Sequence, residues 1–463
     1  MTRHLNIGWL VILGLLATSQ SARAADSASD NYLKMVVKLL GNKDNDFRAA
    51  GLDQVRDATS GAAATKEFAE QLPKLDAAGQ VGLLDALADR GDKAARPAVL
   101  DVLNKSQDES VRAAALLSLG NLGETSDLPL LVQALGSRSA AEQAAARRAL
   151  SVIRDGSVSK TLVAEAQAAT AGVKSALIEV LATRRAAGSL PMLVAAALDD
   201  NQQVRTAAMN ALGQFGGAGE IGAMLAGVLK ASKGGERDNA EKSVALVCSR
   251  IEPENARAEA LIQALDAVAP ENRDDLLSVV GRVGGRKLID FVASIATSSN
   301  PERRKIGIDA LGKWPDAAVA DKLLDIANKT KDQTERAQAF QAYVKIGATR
   351  DKRNDQQRLD RMKQALKAAR SPEEKTLVIN RARTAYTVET LRFVLPFVDD
   401  PAFAQVACET IVELAHHREI RDPNKAEFDK ALDKVIETSK NAEVVERARR
   451  YQKGETWDRK AKS

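Results

Sequence analysis

The chain is poor in aromatic residues, cysteine and histidine. Phe, Trp and Tyr make up 3% of its 463 residues, whereas hydrophobic residues make up 45%. Most apolar side chains are therefore Ala, Leu, Val and Ile, which suit close packing between helices. Two cysteines are too few for a disulfide framework. Three histidines provide few candidates for the general base of a Ser-His-Asp type triad.

A strong net charge is also lacking. Lys and Arg number 67 and Asp and Glu number 62, so the formal net charge is +5. Nucleic-acid-binding proteins are typically marked by a clustered basic surface, so the overall charge gives that class no support. A charged fraction of 28% with both signs interleaved is not typical of a disordered chain. The length exceeds that of one compact core, so several domains or a repeat array are expected.

The first 24 residues have the pattern of a secretory signal peptide. A basic pair at 3–4 precedes an apolar run at 5–17, and Ala-Arg-Ala at 22–24 matches a cleavage site. The apolar run is shorter than the roughly 20 residues that span a bilayer, so we interpret it as cleavable and not as an anchor. We expect a mature N-terminus at Ala25 or Asp26, a periplasmic or extracellular location and no later membrane span.

Self-comparison shows an internal repeat with a period near 31 residues. Residues 111–123 read Val-Arg-Ala-Ala-Ala-Leu-Leu-Ser-Leu-Gly-Asn-Leu-Gly, and residues 204–216 read Val-Arg-Thr-Ala-Ala-Met-Asn-Ala-Leu-Gly-Gln-Phe-Gly. Their spacing of 93 residues equals three periods of 31, and weaker copies lie between and beyond them. Periods in this range are typical of solenoids, in which a unit cannot bury its apolar face alone.

Each repeat is predicted to contain two helices. In the second helix, apolar residues recur at spacings of four, four and three, which is one stripe of an α-helix. Those residues are Val111, Ala115, Leu119 and Leu122. The first helix begins with a proline, where no helical hydrogen bond is lost. Examples are Pro97, Pro129 and Pro191. Many second helices end at a glycine, which we expect to adopt a left-handed C-cap. These glycines are Gly123, Gly216, Gly284 and Gly347.

No segment alternates with the period of a strand, so the predicted fold class is all-α. We expect an α-solenoid of about thirteen stacked helix pairs, covering residues 25–450 and least regular after residue 350. Residues 451–463 are predicted to form a polar C-terminal tail.

The repeated residues resemble those of the HEAT-repeat family. The resemblance rests on the Val-Arg pairs, the Ala-Leu-Gly endings and the helix-start prolines. It covers roughly residues 33–450 and is strongest from 96 to 350. In that family an acid in the loop between the helices pairs with the arginine of the second helix, which builds a ladder between repeats. The resemblance therefore implies a structural ladder that includes Asp108 with Arg112 and Asp200 with Arg205.

In such an array Cys248 and Cys408 are expected to be buried, unpaired thiols. They lie 160 residues apart, about five repeats, and each falls within an apolar helical run. A disulfide requires Cα atoms within about 7 Å, whereas five repeats separate residues by tens of ångströms.

Two glycine-rich stretches suggest phosphate-binding loops. Residues 217–222 match G-x-G-x-x-G, but they follow a predicted helix where a dinucleotide site requires a strand. Residues 284–287 open a helix, whose amides are suited to an anion. We interpret both stretches as turns between helices, and no cofactor is predicted.

The weak metal candidates lie on one predicted helix. Glu409, Glu413 and either His416 or His417 share a face, and carboxylate with imidazole is a metal-binding combination. Two acids on a helix are more often a solvated face, so neither a metal site nor a catalytic site is predicted.

Residues 350–370 hold eight basic and three acidic residues. Such a segment is suited to an acidic protein, an anionic polymer or a membrane surface, but a solvated loop and helix has the same composition. The candidate partner-binding residues are Arg350, Lys352, Arg353, Arg358, Arg361 and Lys363. We favour the solvated interpretation, and expect stability to depend on Arg205 but not on Arg358 and Arg361.

The predicted function is that of a non-enzymatic, exported scaffold or adaptor that binds a protein partner on the solenoid surface. The alternative is an envelope- or polysaccharide-associated binding protein, for which Trp314 and Trp457 are the available indole platforms. A HEAT-like lyase or a nucleic-acid-binding protein is less favoured, because export and balanced charge count against both. The identity of the partner and the oligomeric state stay open.

Overall fold

The computed structural model describes residues 31–57, 61–154 and 156–457. The predicted signal peptide and residues 458–463 of the predicted tail lie outside these ranges. Within them the secondary structure consists of α-helices and short 3-10 helices, with no strand. The all-α prediction is therefore confirmed. No helix in the described ranges is long and apolar enough to cross a membrane.

The chain divides into two compact units, and the first unit ends at Phe215. Its described part contains twelve α-helices, which form six consecutive pairs. These are α1 (31–40), α2 (Asn45–Asp57), α3 (Ala62–Ala69), α4 (Ala77–Arg90), α5 (Arg96–Lys105), α6 (Glu109–Leu122), α7 (Leu128–Leu135), α8 (Ala140–Val152), α9 (Val158–Ala168), α10 (Ala171–Thr183), α11 (Leu190–Ala196) and α12 (Gln202–Phe215).

The second unit, from Gly216, adds sixteen described helices. These are α13 (Ile221–Lys230), α14 (Gly235–Ser249), α15 (Glu254–Asp266), α16 (Pro270–Arg273), α17 (Leu277–Val283), α18 (Arg286–Ala296), α19 (Pro301–Leu311), α20 (Ala320–Lys329), α21 (Gln333–Gly347), α22 (Asp355–Ala368), α23 (Pro372–Ala382), α24 (Val388–Val394), α25 (Ala404–Ala415), α26 (Arg418–Arg421), α27 (Lys425–Thr438) and α28 (Ala442–Gln452). With the one-turn helices α16 and α26 counted as extensions of their neighbours, they make seven pairs. Thirteen pairs in the described ranges agree with the prediction.

Each unit is a two-layer stack. In the first unit, α2, α4, α6, α8, α10 and α12 are the second helices of their pairs, and successive ones contact each other. In the second unit, α14, α17, α19, α21, α23, α25 and α28 have this role, and successive ones again contact each other. In most pairs the first helix packs against its own second helix, which covers the second helix on one side.

The helices begin where local chemistry favours it. Asp108, Asn300 and Asp332 cap α6, α19 and α21, because each side-chain oxygen accepts bonds from two backbone N–H groups of the first turn. The prolines at the starts of α5, α7 and α11 lie in the first turn as predicted. The cap fixes where these three second helices begin within their repeats.

The predicted stripe of α6 lies in the core. Its four apolar residues have no exposed surface, and burial stabilises a leucine side chain by about 1.5–3 kcal/mol. Gly120 on the same helix lets α8 approach closely. A Cβ atom on Gly120 would lie 2.7 Å from Val152 Cγ2 and 3.1 Å from Ala149 Cα.

None of the four glycines forms the expected left-handed cap, and only Gly284 has a positive φ, with ψ −161°. Gly284 has φ +67°, whereas φ is −73° at Gly123 and is not positive at Gly216. Gly347 is still helical, as the last residue of α21. Gly123 is required for space and not for conformation, because a Cβ there would lie 2.3 Å from the Leu119 carbonyl oxygen.

Candidate protein-binding surface

Arginine–glutamate pairs link the N-terminal ends of successive second helices. Arg112 donates from Nε to Glu142 over 2.5 Å, and Arg304 donates from Nε to Glu335 over 2.8 Å. Each glutamate also accepts a bond from its own loop, as Glu142 does from Ser137 at 2.8 Å. The described pairs are Arg112–Glu142, Arg304–Glu335 and Arg336–Glu374. These charge-assisted bonds tie each second helix to the next.

The acid that the family resemblance implied for Arg112 has a different role. Asp108 accepts from the N–H groups of Ser110 and Val111, so its carboxylate turns towards the first turn of α6. Arg112 instead reaches forward to Glu142, and its Nη1 donates to the Leu103 carbonyl at 2.8 Å.

Arg205 is buried at the corresponding position of α12. Its Nη1 donates to the backbone carbonyls of Asp199 and Asp200, each at 2.9 Å. These carbonyls follow the end of α11 and have no helical partner, so the guanidinium satisfies them. Arg205 and Asp200 are thus brought together, and this contact is to the backbone oxygen of Asp200.

A second row of contacts joins the C-terminal ends of the second helices. Arg90 donates to the Val55 carbonyl at 3.0 Å, and Lys345 donates to the Gly312 carbonyl at 2.9 Å. The same arrangement recurs for Asn121 with Ala88 and for Arg184 with Ile153. Each donor satisfies a carbonyl left open at the end of the preceding second helix. The two rows hold the layer of second helices at a fixed spacing.

The second helices of the first unit leave an apolar strip exposed. Leu117 on α6 and Val152 on α8 are 36% and 44% exposed. Gly120, one turn after Leu117 on α6, lies against Val152 of α8. The other apolar positions on these faces are alanines, and the exposed Arg148 lies between Ala144 and Val152 on α8. We call Ala113, Ala114, Leu117, Ala144, Ala145 and Val152 the apolar strip.

The second helices of the second unit enclose a cleft between α21 and α23, with a volume of about 540 Å³. Its apolar floor is formed by Ala337 and Leu377, and its cations are Lys345 and Arg381. α21 and α23 are tied together beside this cleft, because Arg336 pairs with Glu374 and donates to the Ala368 carbonyl at 3.0 Å.

The six candidate cations of residues 350–370 are not gathered into one surface. Arg353 binds the Asp351 carboxylate with Nε at 2.8 Å, and its Nη2 donates to the Ile346 and Thr349 carbonyls. It therefore holds the loop that follows α21. Arg350 lies over the Tyr386 ring, 4.2 Å from its centroid.

Arg358 and Arg361 fix α22 in place. Arg358 is buried, donates to the Arg353 carbonyl at 2.6 Å and pairs with Asp355. Arg361 pairs with Asp321 of α20, which lowers the pKa of that carboxyl by hydrogen bonding. These contacts favour a structural role for both arginines, whereas the sequence-based expectation is that stability does not depend on them. Lys352 is exposed, and Lys363 lies 3.9 Å from Asp360.

The weak metal candidates are bound separately. Glu413 pairs with Arg447 at 2.7 Å, while Glu409 accepts from Gln405 at 2.9 Å. His416 Nδ1 lies 3.0 Å from the Tyr451 hydroxyl. Across the described ranges, no group of three or more His, Cys, Asp or Glu residues is placed to hold a metal ion.

His417 does not share the helix predicted for it. α25 ends at Ala415, and the His417 ring stacks on Tyr386 with centroids 3.8 Å apart. Burial lowers the pKa of His417, since the charged form is less well solvated there, although Glu419 acts in the opposite direction. His417 thus joins Tyr386 in an aromatic contact, and its Nδ1 lies 3.3 Å from Glu419.

The remaining sequence candidates have structural roles. Cys248 and Cys408 are unpaired and buried, as predicted, and burial raises the pKa of each thiol to about 11. Trp314 is buried and Trp457 lies against Arg450, 5.1 Å from ring centroid to guanidinium carbon. The two indoles therefore form no shared exposed platform.

Both glycine-rich stretches are turns between helices, as interpreted from the sequence. Residues 217–222 include a 3-10 turn and the start of α13. The N–H of Gly217 donates to the Glu220 carboxylate at 2.7 Å. At the second stretch, the Arg286 N–H donates to the Glu254 carboxylate at 3.0 Å. In both places a carboxylate of the chain itself accepts the backbone N–H group that a bound phosphate would use.

Comparison with known proteins agrees with this geometry. The sequence model for HEAT repeats matches residues 65–151, 159–245 and 258–343, which together exceed half of the chain. The chain belongs to the HEAT-repeat family. No curated protein sequence matches it.

A solved karyopherin structure shares the fold. The karyopherin Kap121p bound to the extreme C-terminus of the protein phosphatase Cdc14p is 11% identical, with a TM-score of 0.50 over 94% of this chain and 57% of that one. Kap121p bound to Nup53p is 11% identical, with a TM-score of 0.49 over 88% and 53% of the two chains. The chain spans little more than half the length of these proteins, and at this identity the likeness is one of fold alone.

The sequence did not indicate the glutamates that pair with the arginines of the ladder. The acids of the ladder are Glu142, Glu335 and Glu374, each in the first turn of a second helix. Their signal in the sequence is a glutamate close to the start of a second helix, one repeat after the arginine that it binds.

Proposed function

We propose that this HEAT-repeat protein is a non-enzymatic, exported scaffold or adaptor that binds a protein partner on its second helices. The observation that supports this most directly is the apolar strip on α6 and α8. Exposed contiguous apolar surface on a folded domain commonly marks an interaction site. Every residue of the strip is exposed or partly exposed.

The strip is held in a fixed arrangement before any partner binds. Arg112 and Glu142 join α6 to α8 at their N-terminal ends, and Gly120 allows close contact near their C-terminal ends. A preformed surface lowers the entropic cost of association. Kap121p, which shares the fold, was solved with a segment of another protein bound. This supports a binding role for the present solenoid without indicating its partner.

Export is the second part of the proposal. It is supported by the basic start, the short apolar run and the cleavage pattern within residues 1–24. N-terminal sequencing of the protein from its native host is expected to return Ala25 or Asp26. Recovery of an intact Met1 from the cytoplasmic fraction would contradict export, and would reopen the lyase and nucleic-acid alternatives.

The binding proposal is tested by comparing three tagged proteins purified from the exported fraction. Wild type is compared with the Leu117→Glu, Val152→Glu double variant and with Leu198→Glu. Leu198 is the matched control, since it is an exposed leucine of the same unit just after the first helix α11. We expect one protein to co-purify with wild type and with Leu198→Glu. The amount of this protein recovered with the double variant should be at least tenfold lower. Equal recovery with all three, or no specific protein with wild type, would contradict the proposal.

A further inference from the structure

We propose that the cleft between α21 and α23 binds a short linear segment in which an apolar side chain lies next to an acidic one. This inference rests on the proposed function, because it specifies the chemistry of one part of the partner. It is carried by the shape of the cleft, by its apolar floor and by the placement of its charges.

The length of the cleft suits a few residues of extended chain. Its wall on α21 runs from Ala337 to Lys345, which at 1.5 Å per residue is about 12 Å. An extended peptide covers that distance in about four residues. The volume of about 540 Å³ is open along one side, so a segment can enter without local unfolding.

The middle of the cleft combines apolar and hydrogen-bonding surface. Leu377 and Ala337 are only partly covered, and they offer contact to one apolar side chain. Gln341 is exposed next to them, and its side-chain amide makes no hydrogen bond within the described residues. A free amide can both donate to and accept from a peptide backbone.

The charges of the cleft are separated along its length. Lys345 and Arg381 lie near the C-terminal ends of α21 and α23, and the exposed Glu373 lies at the opposite end. Within the described ranges the Arg381 guanidinium makes no hydrogen bond or ion pair. Lys345 uses one donor on the Gly312 carbonyl, which leaves two of its three protons.

The second acid of the cleft does not offset these cations. Glu374 is buried, pairs with Arg336 and accepts from the Arg370 N–H at 2.6 Å. The end that holds Lys345 and Arg381 is therefore complementary to an acidic side chain. The end that holds Glu373 favours a basic or neutral one.

The test measures the anisotropy of two fluorescein-labelled octapeptides added to the full chain. The first has the order Gly-Lys-Ser-Leu-Leu-Ser-Asp-Gly, and in the second a lysine replaces the aspartate. We expect wild type to bind the acidic peptide at least tenfold more tightly. Arg381→Glu is expected to abolish or reverse this preference, and Leu377→Asp to weaken both peptides at least tenfold.

Two first-helix variants of the same unit are the controls. Phe291→Asp and Lys322→Glu change an exposed apolar residue and an exposed cation outside the cleft, and they are expected to bind as wild type does. Thermal melts confirm that each variant is folded. Equal binding of the two peptides, binding of neither, or unchanged binding by Arg381→Glu would overturn the inference. If the co-purifying partner is retained by Arg381→Glu and Leu377→Asp, the cleft is wrong while the proposed function stands.

Discussion

Arg112 and Glu142 lie thirty residues apart in the chain, yet their side chains meet over 2.5 Å and join α6 to α8. Glu142 is nearly buried, and its other oxygen accepts from Ser137. The pair therefore connects the start of one second helix to the loop and start of the next. The same relationship recurs at Arg304–Glu335 and Arg336–Glu374.

The first prediction is that this pair stabilises the stack. Arg112→Ala leaves the Glu142 carboxylate and the Leu103 carbonyl without their donor. Loss of a charge-assisted, largely buried bond costs about 1–3 kcal/mol. Denaturant unfolding should show a free energy lower by that amount. Arg148→Ala is the control, since Arg148 is exposed on α8 and should change stability by less than about 0.5 kcal/mol. Equal effects of the two variants would contradict a structural role for Arg112.

The second prediction concerns acid. The hydrogen bond from Arg112 lowers the pKa of Glu142 below its ordinary value of 4.5. A carboxyl whose pKa is lower in the folded state stabilises the protein above its unfolded pKa. This contribution should decrease as the pH falls from about 4.5 through the folded pKa. Thermal melts between pH 7 and pH 3 should show a smaller acid-induced loss for Glu142→Gln than for wild type. Parallel curves for the two proteins would show that this carboxyl is not linked to folding.

The third prediction is that the basic segment contains both structural and dispensable cations. Arg358 is buried and satisfies the Arg353 carbonyl, so Arg358→Ala should lower the free energy of unfolding by about 1–3 kcal/mol. Lys363→Ala on the same helix should have almost no effect, because Lys363 makes only a long contact with Asp360. Circular-dichroism melts of the two variants measure the difference. Undiminished stability of Arg358→Ala would restore the interpretation of the segment as a solvated surface.

The fourth prediction concerns the thiols. Because burial raises the pKa of Cys248 and Cys408 to about 11, little reactive thiolate is present at pH 8. Native protein should react slowly with a thiol reagent, and denatured, unreduced protein should release two equivalents at once. A requirement for prior reduction would indicate a disulfide, and rapid reaction of the native protein would indicate an exposed thiol.

The helices themselves were predictable because their pattern is local. A stripe such as Val111, Ala115 and Leu119 follows from 3.6 residues per turn, and all three are fully buried. The same holds for the helix-start prolines and for the number of helix pairs. These features depend on residues within one repeat, so no knowledge of the neighbouring repeat was needed.

The contacts of the charged residues were decided by the tertiary structure. The resemblance to HEAT repeats implied that Asp108, four residues before Arg112, pairs with it. In the folded chain the Asp108 carboxylate caps α6, and Glu142 of the following repeat lies nearer to the arginine. Which acid an arginine contacts depends on the register between stacked helices. A period of 31 residues does not fix that register precisely enough to predict contacts between individual side chains.

For the candidate binding surfaces too, the tertiary structure decided which residues are available. Counting charges in residues 350–370 treated all the cations alike, although Arg358 is buried and Lys352 is exposed. The cleft with Arg381 and Leu377 lies on α23, outside that segment. The sequence alone determined that helix pairs must stack, because neither helix can bury its apolar stripe by itself. Only the packed layers decided which side chains the stacking covers and which remain available to a partner.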